Sequence, residues 1–163
     1  MKVIWFIRHA KSSWDLDLDD MYRPLNDRGY RDAVEMANRF KKISKVSLIF
    51  TSPAVRAYST ALIFAKTLNY DPALITLSPL LYDTGAKQHQ AVIAGLPPET
   101  DEVAFFGHNP TISEVANLMA GTELAEIPTA AIVGVESDVT TWKDAAYLAG
   151  KLLHYDYPKN SGG

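Results

Sequence analysis

Apolar positions along this chain fall into short continuous runs, which predict strands. Residues 3–7 are apolar, β-branched or aromatic throughout, which is typical of a strand covered on both faces. Five later runs predict further strands, at residues 48–50, 74–77, 103–106, 132–135 and 152–155. The chain is therefore expected to build a sheet of about six strands, with the first run near its centre.

Between these runs, apolar residues recur at helical spacing. Asn26 is a candidate N-cap for a first helix with the stripe Ala33, Met36, Ala37 and Phe40. Thr51-Ser52-Pro53 predicts the start of a second helix with the stripe Ala57, Ala61, Leu62, Ala65 and Leu68. A short helix is predicted over residues 88–94, and another carries Ile112, Val115, Ala116 and Met119.

Strands that alternate with helices predict an α/β fold, a three-layer α/β/α sandwich around a mostly parallel sheet in which one edge strand can be reversed. The length of 163 residues and the hydrophobic content of 47% fit one domain, expected over residues 1–159 and followed by a flexible tail at residues 160–163. No apolar segment is long enough for a signal-peptide core or a membrane span, so we expect a cytoplasmic protein without membrane association.

The formal net charge of −3 leaves no sequence-wide positive field that would hold nucleic acid or an acidic membrane surface. Since the chain has no cysteine, disulfides, thiolate catalysis and cysteine-bound metals are excluded. Any anion must therefore be bound by a local cluster of other side chains.

Polar residues that follow the predicted strands form such a cluster. Arg8 and His9 follow the first run, Arg56 lies in the first turn of the helix after the second, and His108 follows the fourth. Because ligands of open α/β sheets bind beyond the carboxyl ends of the strands, these four side chains are expected to share one crevice. His89, in a predicted surface helix, and His154, in the last predicted strand, lack that placement and are interpreted as structural.

The chemistry of this cluster suits phosphate. Guanidinium groups present planar donor forks to phosphate oxygens, and imidazole can both bind anions and attack phosphorus. The sequence therefore predicts a phosphoryl pocket that needs neither a metal ion nor a cofactor.

Three motifs resemble the histidine phosphatases, a family that includes the phosphoglycerate mutases. They are Arg8-His9-Ala10-Lys11-Ser12, Ser52-Pro53-Ala54-Val55-Arg56-Ala57 and Gly107-His108-Asn109-Pro110. Arg23-Pro24-Leu25, Pro128-Thr129 and Asp156-Tyr157-Pro158-Lys159 look most like the small SixA-type phosphohistidine phosphatases. The resemblance implies a phosphoglycerate mutase-like fold.

The resemblance also implies roles for the site residues. His9 would attack phosphorus and form a phosphohistidine intermediate, which water then hydrolyses. Arg8, Arg56 and His108 would bind the phosphoryl oxygens, and Ser12 would donate a further hydrogen bond. A backbone carbonyl is expected to hold the other ring N–H of His9.

One departure from the family concerns the proton donor. Residues 78–83 contain no glutamate where many relatives carry one, and Asp83 and Asp15 are the nearest candidate donors. Because a P–N bond is labile without a strong acid, this absence favours phosphohistidine, or another activated phosphate, as the substrate. The partner would be a phosphorylated protein or a small phosphorylated molecule.

Three other functions remain open. The first is a phosphatase of the same family that acts on small phosphate esters, and the sequence hardly distinguishes it from a phosphohistidine phosphatase. A non-catalytic phosphate-binding module would have no need for both His9 and His108. A metal hydrolase would have to explain two arginines, whose charge repels metal ions.

Overall fold

The computed structural model of the chain describes residues 1–160. The six strands are β1 (Lys2–Arg8), β2 (Leu48–Thr51), β3 (Thr76–Leu77), β4 (Glu102–Gly107), β5 (Ile132–Ser137) and β6 (Lys151–Asp156). The five helices are α1 (Asp27–Lys41), α2 (Val55–Leu68), α3 (Ala86–Ala94), α4 (Thr111–Ala120) and α5 (Trp142–Tyr147). Apart from Asn160, the predicted tail at residues 160–163 lies outside the described residues.

The strands form one mixed sheet in the order β3-β2-β4-β1-β5-β6. The pairs β2–β3, β2–β4 and β1–β4 are parallel, whereas β5 is antiparallel to both β1 and β6. The prediction of an α/β fold with a mostly parallel sheet is therefore confirmed.

The reversed strand, however, does not lie at the edge of the sheet. β5 lies between β1 and β6, and its direction follows from the segment before it. The N–H of Ala130 donates to the carbonyls of Arg8 and His9, which places the start of β5 at the carboxyl end of β1. A strand that begins there must run antiparallel to β1.

Apolar side chains cover both faces of the sheet. One face packs against α3, α4 and α5, through Ile93, Val115 and Trp142 among others. The other packs against α1 and α2, through Met36 and Phe64 among others. These two cores explain why β1 and β4 are apolar along their length.

The first helix begins as predicted, whereas the second begins later. The side chain of Asn26 accepts a hydrogen bond from the N–H of Gly29 at 2.8 Å, and the predicted stripe of α1 is buried. α2 begins only at Val55, after Ala54 as N-cap, so residues 51–53 precede the helix. Leu62 is exposed, and Phe64 instead packs its ring against Phe40 and Phe106.

The third strand is shorter than predicted, since residues 72–74 form a 3₁₀ turn and only Thr76–Leu77 pair with β2. His89, which lies in the predicted surface helix and is interpreted from the sequence as structural, is buried, with 2% of its surface exposed. His154 lies in β6, where its ring packs against that of Trp5.

Candidate active site

The carboxyl ends of β1, β2 and β4 bring the candidate residues together. Hydrogen bonds continue beyond the strands, since His9 N–H donates to the carbonyl of Gly107 and Ser52 N–H donates to that of Phe106. His9 and His108 thereby become neighbours, with ring centroids 5.1 Å apart. Arg56, on the first turn of α2, completes the group.

His9 is held in one orientation and one protonation state. Its Nδ1 lies 2.7 Å from the carbonyl oxygen of Ala10. Because a carbonyl only accepts, Nδ1 carries the hydrogen and Nε2 keeps its lone pair. Burial, and then the positive charges of Arg56 and Arg8, lower the pKa of His9 to about 3. The imidazole is therefore neutral at physiological pH, with Nε2 free to act as a nucleophile.

His108 is also buried and neutral. Its Nε2 lies 2.7 Å from the hydroxyl oxygen of Ser52. Its Nδ1 is buried without a hydrogen-bond partner. Burial, followed by the proximity of the His9 ring and the positive charge of Arg56, lowers the pKa of His108 to about 3.

The two arginines are only partly satisfied by the protein. Arg8 donates from Nη1 to the carbonyl of Ile127 at 3.0 Å. Arg56 donates from Nη1 to the carbonyl of Asp20 at 2.6 Å and from Nη2 to its carboxylate at 2.8 Å. The Nε of each arginine is buried without a partner. Both guanidinium groups can therefore take a further acceptor.

Asp20 is a site residue that sequence reasoning missed. Its carboxylate accepts hydrogen bonds from Arg56, Arg23 and the Tyr82 hydroxyl. Burial alone would raise the pKa of Asp20, but the hydrogen bonds from Tyr82 and Arg56 lower it to about 2. The carboxylate is therefore ionised at neutral pH, and nothing in the acidic run at residues 15–20 marked this one aspartate from the sequence.

A cavity of about 390 Å³ opens beside His108 and Arg56. Its walls include Asp20, Tyr82, Asp83 and His89. His89 donates from Nδ1 to the carbonyl of Gly85, four residues earlier, and its Nε2 is buried without a partner.

The three remaining candidate residues, Ser12, Asp83 and Asp15, lie in different surroundings. Ser12 is buried, and its hydroxyl oxygen accepts a hydrogen bond from Nη1 of Arg23 at 2.7 Å. Asp83 lies in the cavity wall with a positive φ of 53°. Asp15 instead lines a separate surface groove with Ser13 and Pro24. The structure thus brings Asp83, but not Asp15, to the cavity.

Residues 1–160 contain neither a metal-binding cluster nor a membrane-spanning helix. No group of three His, Asp or Glu side chains in this range is arranged to hold a metal ion. None of its helices combines the length and the apolar character needed to cross a membrane.

The low pKa values of His9 and His108 have a testable consequence. Both rings are expected to stay neutral when the pH is lowered from about 8 to about 5, whereas an ordinary histidine titrates near 6.5. Ring proton shifts in an NMR titration measure this directly, with the urea-unfolded chain as the control. Because only the unfolded chain takes up these protons, the free energy of unfolding should fall as the pH drops below about 6.5. A midpoint near 6.5 for His9 would contradict the lowering of its pKa by burial.

Comparisons with known proteins agree with this geometry. A model of the histidine phosphatase superfamily (branch 1) matches residues 4–84, which include Arg8, His9 and Arg56. No relative was found among the curated proteins.

Solved structures share the fold at low sequence identity. The protein histidine phosphatase SixA complexed with tungstate is 22% identical, with a TM-score of 0.83 over 97% of this chain and 98% of that one. A SixA structure from Agrobacterium tumefaciens, itself described as a putative phosphohistidine phosphatase, is 22% identical, with a TM-score of 0.80 over 96% and 98% of the two chains. A mycobacterial glucosyl-3-phosphoglycerate phosphatase is 15% identical, with a TM-score of 0.73 over 93% and 97%.

The family model and the fold thus point to the same conclusion as the residues at the sheet edge. The match covers the first strand, the residues after it and the helix that carries Arg56. The chain belongs to the histidine phosphatase superfamily.

Proposed function

We propose that this protein is a metal-independent phosphatase in which His9 attacks phosphorus and forms a phosphohistidine intermediate. One observation carries the proposal. Among the described residues, four buried side-chain nitrogens have no hydrogen-bond partner, and they belong to Arg8, Arg56, His89 and His108. Three of these four residues are the predicted phosphate ligands beside His9.

Unpaired nitrogens of this kind are costly unless a ligand satisfies them. Each buried donor without a partner costs about 1–3 kcal/mol. The phosphoryl group offers three equatorial oxygens, which accept hydrogen bonds from guanidinium and imidazole groups. Donors fixed in advance in a buried site stabilise charge that develops during the transfer without reorganising. This arrangement therefore supports binding of a phosphoryl group in front of His9.

The reaction proceeds in two transfers. In the first, the Nε2 lone pair of His9 forms a bond to phosphorus while the bond from phosphorus to the leaving group breaks. In the second, a water oxygen displaces Nε2, which releases phosphate and restores the neutral imidazole. The hydrogen bond from Nδ1 to Ala10 keeps Nε2 directed at phosphorus in both steps.

Asp20 accepts hydrogen bonds from a predicted phosphate ligand, Arg56. Its carboxylate and carbonyl accept from both terminal nitrogens of Arg56, as phosphoryl oxygens would. A bound phosphoryl group would therefore take over donors that Asp20 now holds. Since the carboxyl is ionised, Asp20 does not serve as a proton donor at neutral pH.

For the substrate, we propose phosphohistidine on a phosphorylated protein. The fold similarity to SixA structures supports this class. The absence of a glutamate at residues 78–83 supports it as well, because a phosphoramidate needs less help from an acid than an alkyl ester does. The cytoplasmic location and the absence of nucleic-acid binding stay predictions from the sequence.

A second candidate is a phosphatase for small phosphate monoesters. Asp83 favours it, since this residue lines the cavity, where a carboxylic acid would protonate an alkoxide leaving group. The mycobacterial neighbour described as a glucosyl-3-phosphoglycerate phosphatase belongs to this class.

Asp83→Asn separates the two candidates. With a histidine-phosphorylated protein as the substrate, we expect the variant to retain most of the wild-type kcat/KM, because no strong acid is needed. If esters are the true substrates, loss of the acid should lower kcat/KM by about 100-fold or more. Steady-state phosphate release without added metal measures kcat/KM of the wild type and the variant. The substrates are the histidine-phosphorylated protein and a panel of sugar and nucleotide monophosphates.

Asp15→Asn is the matched control, since Asp15 lies away from the cavity. Failure of the wild-type protein to hydrolyse any of these compounds would reject the phosphatase proposal. An Asp83→Asn loss on phosphohistidine as deep as that of His9→Ala would reject the acid-independent route.

A further inference from the structure

Ser52 lies at the end of β2 and makes contacts that the phosphate ligands do not explain. Its side chain is fully buried, and its hydroxyl oxygen lies 3.2 Å from the backbone nitrogen of Ala54 and 2.7 Å from Nε2 of His108. The sequence predicted Ser52 as part of a helix start, yet α2 begins at Val55. The second contact links Ser52 to the predicted phosphate-binding imidazole instead.

The position of one hydrogen atom follows from these two contacts. Ala54 N–H can only donate, so the Ser52 oxygen accepts there. The Ser52 hydroxyl hydrogen then has one acceptor within reach in the described structure, the lone pair of His108 Nε2. If Nε2 donated instead, two buried groups, the Ser52 hydrogen and the Nδ1 lone pair, would lack partners, whereas the first arrangement leaves only Nδ1–H unpaired.

The neutral state of His108 places its single hydrogen on the other nitrogen. With a pKa of about 3, the ring carries one hydrogen at neutral pH, and Nε2 is occupied as an acceptor. Nδ1 therefore bears the hydrogen, and it is buried without a protein acceptor. The ring of His9 lies next to the ring of His108, with centroids 5.1 Å apart, so a phosphoryl group attached to His9 comes within reach of the His108 ring.

We propose that Ser52 is a positioning residue, which fixes His108 in the Nδ1–H form and thereby presents this N–H as a donor to a phosphoryl oxygen. The first half of this statement concerns the free protein alone. The second half rests on the proposed phosphatase function. In the wrong tautomer, His108 would present a lone pair to a negatively charged oxygen and repel it.

Long-range ¹H–¹⁵N correlation spectra of the ¹⁵N-labelled protein at neutral pH test the first half, since the two ring nitrogens differ in shift according to which one is protonated. We expect His108 to be protonated at Nδ1 in the wild type. In the Ser52→Ala variant, the tautomer of His108 that is protonated at Nε2 should gain population. In the Ser52→Thr variant, which keeps the hydroxyl, His108 should again be protonated at Nδ1. Ser137→Ala, a buried serine at the far end of β5, serves as the control.

Turnover of phosphohistidine tests the second half. Ser52→Ala should lower kcat/KM by about tenfold or more, because one oriented donor is lost, and Ser52→Thr should recover most of it. Ser137→Ala should leave both the spectrum and kcat/KM unchanged.

The outcomes separate the two proposals. The role of Ser52 is overturned, whatever the activity, if His108 of the wild type is protonated at Nε2 or if the Ser52→Ala spectrum is unchanged. The wild-type spectrum is a test by itself even if a variant fails to fold. A tautomer that shifts while kcat/KM stays unchanged overturns the donor role. A wild type that hydrolyses nothing overturns the phosphatase function but leaves the tautomer result standing.

Discussion

Replacing His9 by alanine is expected to abolish turnover and to remove covalent labelling by phosphate. Without the nucleophile, no phosphohistidine can form, and the remaining donors do not by themselves supply an alternative attack. Loss of a nucleophile typically lowers kcat by about 10⁴-fold or more. To measure the intermediate, the protein is mixed with ³²P-labelled phosphoramidate and quenched rapidly without acid. The labelled phosphohistidine should be labile in acid and stable in base.

The control for this experiment is His154→Gln, since His154 packs against Trp5 in β6 and does not line the cavity. His154→Gln should be labelled and should turn over as the wild type does. Covalent phosphate on the His9→Ala variant would place the nucleophile elsewhere, and His89 and His108, which line the cavity, would be the residues to examine.

Replacing Arg56 by lysine is expected to lower kcat/KM by about 10²–10³-fold, although the charge is kept. Arg56 presents two terminal nitrogens side by side, and both already bind oxygens of Asp20. A lysine ammonium cannot reproduce this planar fork, so it would lose the paired contacts to phosphoryl oxygens. Steady-state kinetics and the inhibition constant of orthovanadate, which mimics the transferred group, both measure the loss.

Arg28→Lys is the matched control, because Arg28 is an exposed residue of α1 that forms a surface ion pair with Asp32. Such pairs contribute about 0–1 kcal/mol, so this change should alter neither kinetics nor inhibition. An Arg56→Lys variant with near-wild-type kcat/KM would show that Arg56 supplies only charge, and that the fork geometry is unimportant.

Much of the fold follows from patterns within short segments. Continuous apolar runs predict β1 and β4 because both of their faces are buried, and helical spacing predicts α1 and α4 because one face of each is buried. Where the pattern was weak, the prediction was less accurate. In α2 the apolar residues extend around the helix, and the sequence could not show that Phe64 rather than Leu62 faces the core.

The same reasoning explains how much of the candidate site could be predicted from the sequence. Parallel strands align their carboxyl ends, so residues that follow β1, β2 and β4 must lie near one another whatever the loops do. The sequence therefore predicted which edge carries Arg8, His9, Arg56 and His108. Their catalytic roles, like the single domain over residues 1–159, stay predictions for the experiments above.

The sequence by itself determined the order of the six strands and of four helices, although not α5, and the polar residues that end the central strands. These features depend on local periodicity and on the geometry of parallel sheets. Only the tertiary structure decided which distant side chains meet. Asp20 reaches Arg56 across 36 positions, Ser52 reaches His108 across 56, and Ser12 binds Arg23. These contacts depend on loop paths and side-chain rotamers, which no periodic pattern records. For the pair His9 and Arg8, the structure added what the motif lacked: a ring whose Nδ1–H is held by a carbonyl, and buried nitrogens without partners on Arg8, Arg56 and His108.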